Sequence, residues 1–206
     1  MRKRGEERRS EIVQAALRLL AERGPKEVTT QAIADRVGIA QATVFRHFRT
    51  RDEIFVHAIG WIGKQVLAIV DEAVAGRGAP DERLRRLVTR QLGLIASLPG
   101  LPRLLFSDRL HRESPRLKAA VRQVMAGYLE RVGGLIREGQ RAGVFSGGYE
   151  PEAGARLVAA SVQGLLLRWS LHDFAFDLRG EAEELCAFLL AALRHAEIAQ
   201  PGGGHR

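Results

Sequence analysis

TTQAIADRVGIAQATVFRHF, residues 29–48, reads as two short helices around a single glycine turn. Thr29 is placed to cap the first of them, and Val28 and Ile33 occupy the flanking positions of a hydrophobic staple. Ile33, Ala34 and Val37 form its apolar face. Gly38 follows where a helix C-terminus takes a left-handed residue, and Ile39 plugs the turn. The second helix is predicted from about Gln41 to Phe48, with Val44, Phe45 and Phe48 inward and Gln41, Thr43, Arg46 and His47 outward or at the ends. That outline is a helix-turn-helix, which sets side chains in the DNA major groove. From Arg36 to Arg51 the stretch holds Arg36, Arg46, Arg49 and Arg51 and no acidic residue, so phosphates are drawn to it.

With these residues in place, the first 55 or so positions resemble the TetR-type transcriptional repressors. The agreement lies at Ile12, Ala15, Ala16, Leu19, Gly24, Thr29, Thr30, Ile33, Ala34, Val37, Gly38, His47, Phe48 and Asp52. The resemblance implies that Gln31, Gln41, Ala42, Thr43, Arg46 and His47 meet bases or nearby backbone, and that Thr30, Phe45 and Arg51 lie against phosphates. Two positions depart from the family pattern. Ala40 stands where a serine usually caps the recognition helix, and loss of such a cap costs about 0.5–2 kcal/mol. Phe45 replaces a tyrosine whose hydroxyl reaches a phosphate, and its spacing assigns it to the core instead.

The chain has 206 residues, 46% of them hydrophobic, enough for one or two small domains with a sizeable core. Its formal charge of +8 favours an anionic partner. Aromatic residues make up only 6%, and no basic groove interleaved with aromatics suggests single-strand stacking, so duplex DNA is the expected partner. The single cysteine, Cys186, excludes an internal disulfide and sits in an apolar run with no cationic neighbour, which makes it a packing residue. The N-terminal MRKRGEERRS lacks a signal peptide's apolar core, and no apolar run is read as long enough to span a bilayer, so a cytoplasmic protein without membrane association is expected.

Every periodic segment reads as helix, which predicts an all-α, nine-helix architecture. Helices are expected at about 10–23, 29–37, 41–48, 50–76, 80–98, 103–112, 115–142, 151–171 and 181–198. The fourth, opened by the capping box Thr50-Arg51-Asp52-Glu53, is roughly 35–40 Å long at 1.5 Å per residue and links the two halves. The division expected is 1–52 for the helix-turn-helix domain, 53–198 for a ligand-binding and dimerising bundle, and 199–206, with its PGGG, as a disordered tail.

The eighth helix is apolar almost all round, as suits a helix packed on its own bundle and on a second copy. The resemblance likewise implies a homodimer formed through the last two long helices, with Ala160, Ser161, Gly164, Leu165, Leu189 and Ala192 as the candidate interface. Trp61, Gln65, Phe106, His111, Tyr128, Gln163 and Trp169 are the candidate lining of a small-molecule pocket. There is no phosphate-binding glycine loop, nucleophile elbow or acid pair, and the six histidines show no zinc spacing. An enzyme, a cofactor and a metal site are therefore not expected. The function expected is a DNA-binding regulator, a homodimeric repressor released from a near-palindromic operator by a small, mostly apolar ligand. A DNA-bound activator or architectural factor without a small-molecule switch is the alternative. A helical adaptor using the basic arm Arg2, Lys3, Arg4, Arg8 and Arg9 on anionic lipid is a third reading, weakened by Glu6 and Glu7.

Overall fold

The computed structural model describes residues 2–197, with side chains from Gly5 onward. Among the described residues are nine α-helices, one π-helical turn and no strand: α1 Arg2–Arg23, α2 Thr30–Val37, α3 Gln41–His47, α4 Arg51–Ala75, α5 Pro80–Ala96, α6 Gly100–Leu105, the π turn Arg109–Glu113, α7 Pro115–Arg141, α8 Pro151–Leu171 and α9 Ala182–His195. The expected disordered tail, 199–206, lies outside the described residues.

Two helices differ from the sequence reading. The first begins at Arg2 and not near Ser10, because its Arg- and Glu-rich start carries good helix formers and an Arg8–Glu11 pair at 2.6 Å one turn apart. The sixth is split: α6 ends at Leu105, and the chain resumes as the π turn before Ser114. A third correction concerns hydropathy. Helix α4 is long and apolar enough by composition to cross a membrane, contrary to the expectation that no segment is. Its Ile54, Phe55, Ala58, Ile59, Ile62, Val66 and Val70 are buried in protein, which accounts for the composition.

The chain divides into two compact units, one of residues up to Gln65 with Ile95–Val124, the other of Val66–Leu94 with residues from Met125 on. In the first, α1 buries Ile12, Ala16, Leu19 and Leu20, and the helix-turn-helix buries Val28, Ile33, Ala34, Val44 and Phe48. Helix α6 lies directly on α1: a Cβ added at Gly100 would stand 2.0 Å from the Leu17 carbonyl oxygen, so only glycine permits this approach. The start of α4 is capped as the sequence predicts, with the Glu53 N–H donating to Thr50 Oγ1 at 3.2 Å and the Glu53 carboxylate accepting from the Arg49 N–H at 2.8 Å. Asp52 accepts from the Ser114 hydroxyl at 2.6 Å and from Arg109 at 3.5 Å, and Ser114 Oγ in turn caps α7 by accepting from the Leu117 N–H at 3.0 Å. One carboxylate thus fastens the start of α4 to the π turn and the start of α7.

In the second unit the buried Arg83 closes the other end of α4. Its Nε donates to the Ala73 carbonyl at 2.9 Å, Nη2 donates to the Val74 carbonyl, and Nη1 pairs with Glu138 at 2.5 Å. Both carbonyls lie in the last turn of α4, where the Ala73 carbonyl also accepts from the Gly76 N–H at 3.3 Å. Tyr128 is buried with its hydroxyl donating to Gln91 Oε1 at 3.0 Å, and burial pushes the phenol's pKa up. After α8 the chain turns through two left-handed residues, Asp173 and Phe174, at φ 50° and 62°. Trp169 holds this turn, with its ring edge-on to Phe174 at 4.7 Å and its indole N–H donating to the Phe176 carbonyl at 3.0 Å.

Candidate nucleic-acid interface

Helix α2 is fixed at both ends by the residues its sequence nominates. The Ala32 N–H donates to Thr29 Oγ1 at 3.0 Å. Gly38, at φ 73°, lets its own N–H reach the Asp35 carbonyl and the Ile39 N–H reach the Ala34 carbonyl, a Schellman closure that sets the turn angle. Helix α3 starts at Ala40 in the extended conformation of an N-cap, with no side-chain cap. Its place is held by other bonds: Gln41 Nε2 donates to Thr30 Oγ1 at 2.9 Å and so joins the first turns of α2 and α3.

Phe45 corrects the sequence reading. It is 47% exposed, because Val44 and Phe48, one turn apart, fill the inward face and leave Phe45 about 100° round the helix from Val44. Gln31, Ala42 and Arg46 are exposed with it, while Thr30, Gln41, Thr43, His47 and Arg51 are half-buried. Arg46 donates to Thr43 Oγ1 at 3.1 Å, a pair one turn apart that orients the guanidinium. Both line a hollow of about 870 Å³ with Gly5, Glu7, Arg8, Glu11 and His47.

The four arginines of this stretch are not equivalent. Arg36 forms a two-bond pair with Glu22 of α1, and that hydrogen bonding holds the Glu22 carboxyl below its usual range. Arg51 donates to the Val28 carbonyl at 3.0 Å, tying α4 to the chain entering α2, and burial lowers its pKa. Arg46 is the one aimed outward from the recognition helix. His47 has its pKa lowered, first by burial and then by Arg9, Arg46 and Arg8, which favours the neutral ring. Sequence reasoning missed Arg9 as a brace: it donates to the His47 carbonyl at 3.0 Å and lies 5.0 Å from the Phe48 ring centroid. No short-range pattern marks a contact across 38 positions.

The pocket candidates fall in both units. Trp61, Gln65, Phe106 and His111 belong to the first, Tyr128, Gln163 and Trp169 to the second. Trp61 lines a cleft of about 430 Å³ with residues of α1 and the α5–α6 junction, among them Gln14, Arg18 and Gly100. Gln65 Nε2 is buried without a hydrogen-bond partner. Phe106 is exposed, and His111 Nε2 stands 3.1 Å from the Leu105 carbonyl. Gln163 is exposed and reaches the Met125 sulfur at 3.4 Å, while Tyr128 and Trp169 are held in the packed interior described above.

Of the interface candidates, Ala160, Gly164 and Ala192 are exposed, and Ser161 and Leu165 half-buried. Leu189 is buried within its own unit, because it shares the inward face of α9 with Cys186, Leu190 and Leu193. The large exposed apolar residues that the sequence reading left out are Leu157, Leu167 and Leu171 on α8, the last 74% exposed, and Phe188 on α9, 68% exposed. The α8 residues recur with Ala160 and Gly164 at helical spacing. Among the described residues no group of three or more His, Cys, Asp and Glu side chains is placed to hold a metal.

Residues 12–58 match the family described as bacterial regulatory proteins, tetR family, and residues 62–192 match the family described as YsiA-like protein, C-terminal region. The chain belongs to the TetR family. It is a helix-turn-helix DNA-binding transcription regulator of a family that is not enzymatic, with a YsiA-like C-terminal domain. This TetR-family chain is 19% identical over 185 residues to the fatty acid metabolism regulator protein of Bacillus subtilis strain 168, covering 90% of this chain and 95% of that protein. It is 26% identical over 188 residues to the nucleoid occlusion factor SlmA of Vibrio vulnificus strain YJ016, covering 91% and 96%. Among solved structures it is similar to the fatty acid degradation regulator FadR of Bacillus halodurans, with a TM-score of 0.81, 20% identity and coverage of 91% and 97%. It is also similar to FadR of Bacillus subtilis in complex with stearoyl-CoA, with a TM-score of 0.77, 19% identity and coverage of 88% and 97%.

Proposed function

We propose that this regulator is a homodimeric repressor that holds a near-palindromic operator and leaves it when a long-chain acyl-CoA binds. The observation that carries the reading is the outward strip of Gln31, Ala42, Phe45 and Arg46, on helices whose ends and backs are fixed by Thr29, Gly38, Val44 and Phe48. Residues 1–52 read DNA, and 53–198 take the effector and the second copy, a division by task that the two family matches support. Two copies related by a two-fold axis place their recognition helices about 34–36 Å apart, one turn of duplex. The apolar stripe of α8 and the exposed Phe188 of α9 support the pairing. The effector class is supported by the FadR relative that holds stearoyl-CoA. The regulator works on DNA in the cytoplasm.

The test starts with selection of duplexes from a random library, followed by titration of the selected operator with and without stearoyl-CoA. An enriched inverted repeat from which stearoyl-CoA displaces the protein supports the reading. Retention without an enriched repeat sinks the operator part, and binding unmoved by stearoyl-CoA sinks the effector part. That second result would favour a DNA-bound factor or activator without a small-molecule switch, which the similarity to a nucleoid occlusion factor also supports.

A further inference from the structure

The first unit carries a third hollow, which shares no residue with the one beside Arg46 and only Trp61 with the cleft of about 430 Å³. It is a cleft of about 370 Å³ lined by Arg9, Phe48, Glu53, Val56, His57, Gly60, Trp61, Lys64 and Arg116. Arg8 and Arg9, adjacent in α1, therefore serve different hollows: Arg8 is in the first, paired with Glu11, and Arg9 is in the third, over Phe48. The charge in the cleft is one-sided. Arg9, Lys64 and Arg116 are cations, and the single carboxylate, Glu53, is engaged by the Arg49 N–H at 2.8 Å and stands 3.9 Å from Arg116. His57 packs edge-on to Phe48 at 5.5 Å, and its pKa is lowered first by burial and then by Arg9 and Lys64, which places both cations within electrostatic reach of one imidazole. Clustered like charges repel, and a bound anion removes that cost. Trp61 adds a flat, half-buried ring to the wall, and the volume is that of a small-molecule site.

The cleft runs away from the reading face. Its lining on α4 climbs from Glu53 to Lys64, and Lys64 is roughly 20 Å along the helix from Arg51 at 1.5 Å per residue. Arg9 and Phe48 put one end of the cleft beside the end of the recognition helix, and Lys64 puts the other end well away from it. We propose that this cleft binds a phosphorylated small molecule carrying a flat ring, of nucleotide size, with Lys64, Arg116 and Arg9 on the phosphates and Trp61 against the ring. Arginine and lysine side chains make charge-assisted bonds to phosphate oxygens, and a ring beside an indole face gains stacking without a fixed hydrogen-bond code.

ADP is the probe, with inorganic phosphate and adenosine as its separate halves, and the reporter is tryptophan fluorescence of the DNA-free full chain. The protein has two tryptophans, Trp61 and Trp169. Saturable quenching by ADP is expected, retained in Trp169→Phe and lost in Trp61→Phe. Lys64→Ala and Arg116→Ala, both exposed positions, should each weaken ADP about ten-fold without lowering the melting temperature. Arg46→Ala should leave ADP affinity unchanged. No quenching at millimolar ADP overturns the proposal. So does loss of operator affinity with no change in ADP response in Lys64→Ala and Arg116→Ala, which would assign the cations to the DNA backbone. If Trp61→Phe fails to fold, chemical-shift perturbation by ADP at His57 and Gly60 in the unaltered protein decides the question.

Discussion

Gly100→Ala tests whether α6 rests on α1 as closely as the backbone geometry says. The added methyl would lie 2.0 Å from the Leu17 carbonyl oxygen, 3.0 Å from its carbonyl carbon and 3.1 Å from Leu20 Cβ. The first two are backbone atoms of α1 and cannot swing aside as a side chain does. Relief requires α6 to retreat by about 1.4 Å, the gap between 2.0 Å and the 3.4 Å at which ordinary contact begins. Overpacking of this kind costs about 1–3 kcal/mol. Replacing glycine by alanine in a helix returns up to about 1 kcal/mol, less at the first position of α6 than in an interior. The net expectation is a loss of about 1–2 kcal/mol, read as a lower urea midpoint at unchanged slope. Gly93→Ala is the control: nothing lies within 4 Å of its added methyl, it sits inside α5, and it should gain up to about 1 kcal/mol. A Gly100→Ala protein as stable as the parent would refute the close approach.

Arg46→Ala should weaken operator binding at unchanged thermal stability and reduce the salt slope by about one phosphate's worth, measured by titration at several salt concentrations. Ala40→Ser should stabilise the protein by about 0.5–2 kcal/mol, since Ala40 already holds the extended backbone of an N-cap and lacks only the hydroxyl; an unchanged denaturation midpoint would count against the bare cap. Leu171→Glu combined with Phe188→Glu should shift the species seen by analytical ultracentrifugation from dimer to monomer, because a charge on each exposed apolar position must be desolvated on pairing. The pKa of His57 is held down in the folded chain, so the unfolded chain takes up the proton first as pH falls. Stability should therefore drop as pH falls through about 6.5, the ordinary imidazole value, and drop less in His57→Gln, measured by melts between neutral and mildly acidic pH.

The helix-turn-helix was legible in the sequence because its signals are local. Thr29, Gly38 and the Ile33, Ala34 and Val44 face act within two turns, and each does in the structure what its position indicated. The same holds for the Thr50 box. Phe45 was misread because a run of Val44 and Phe45 offers two adjacent apolar side chains, and one helix face has room for only one of them beside Phe48. The split of the sixth helix was illegible for a different reason. Nothing in residues 103–112 forbids a helix, and the π turn is tied in place by Asp52, 57 positions from Arg109. Leu189 and Phe188 show the limit for an interface: both are apolar and adjacent, and which one faces out depends on the bundle that α9 packs on. Pocket lining is less legible still, since Tyr128 and Trp169 satisfy their polar atoms internally in a way that sequence does not foretell.

The two ends of α4 are fastened with unequal strength, which bears on how the proposed switch would work. At the C-terminal end, Arg83 is almost wholly buried and gives three of its donors to Ala73, Val74 and Glu138. Pulling that end free strands a buried guanidinium, a loss of order 3–5 kcal/mol. At the N-terminal end, Asp52 and Arg109 are partly open to water and the 3.5 Å contact between them is long, so exchanging that contact for solvent costs less, while the buried Ser114 hydroxyl holds Asp52 by one bond of 2.6 Å. Couplings between ligand and DNA sites are typically about 1–3 kcal/mol. Under the proposed switch, an effector working within that range reaches the Asp52 contacts more readily than the three bonds of the buried Arg83. In that switch the C-terminal end of α4 therefore stays with Arg83, and the change is delivered at its N-terminal end, where Arg51 holds the chain entering α2 through the Val28 carbonyl.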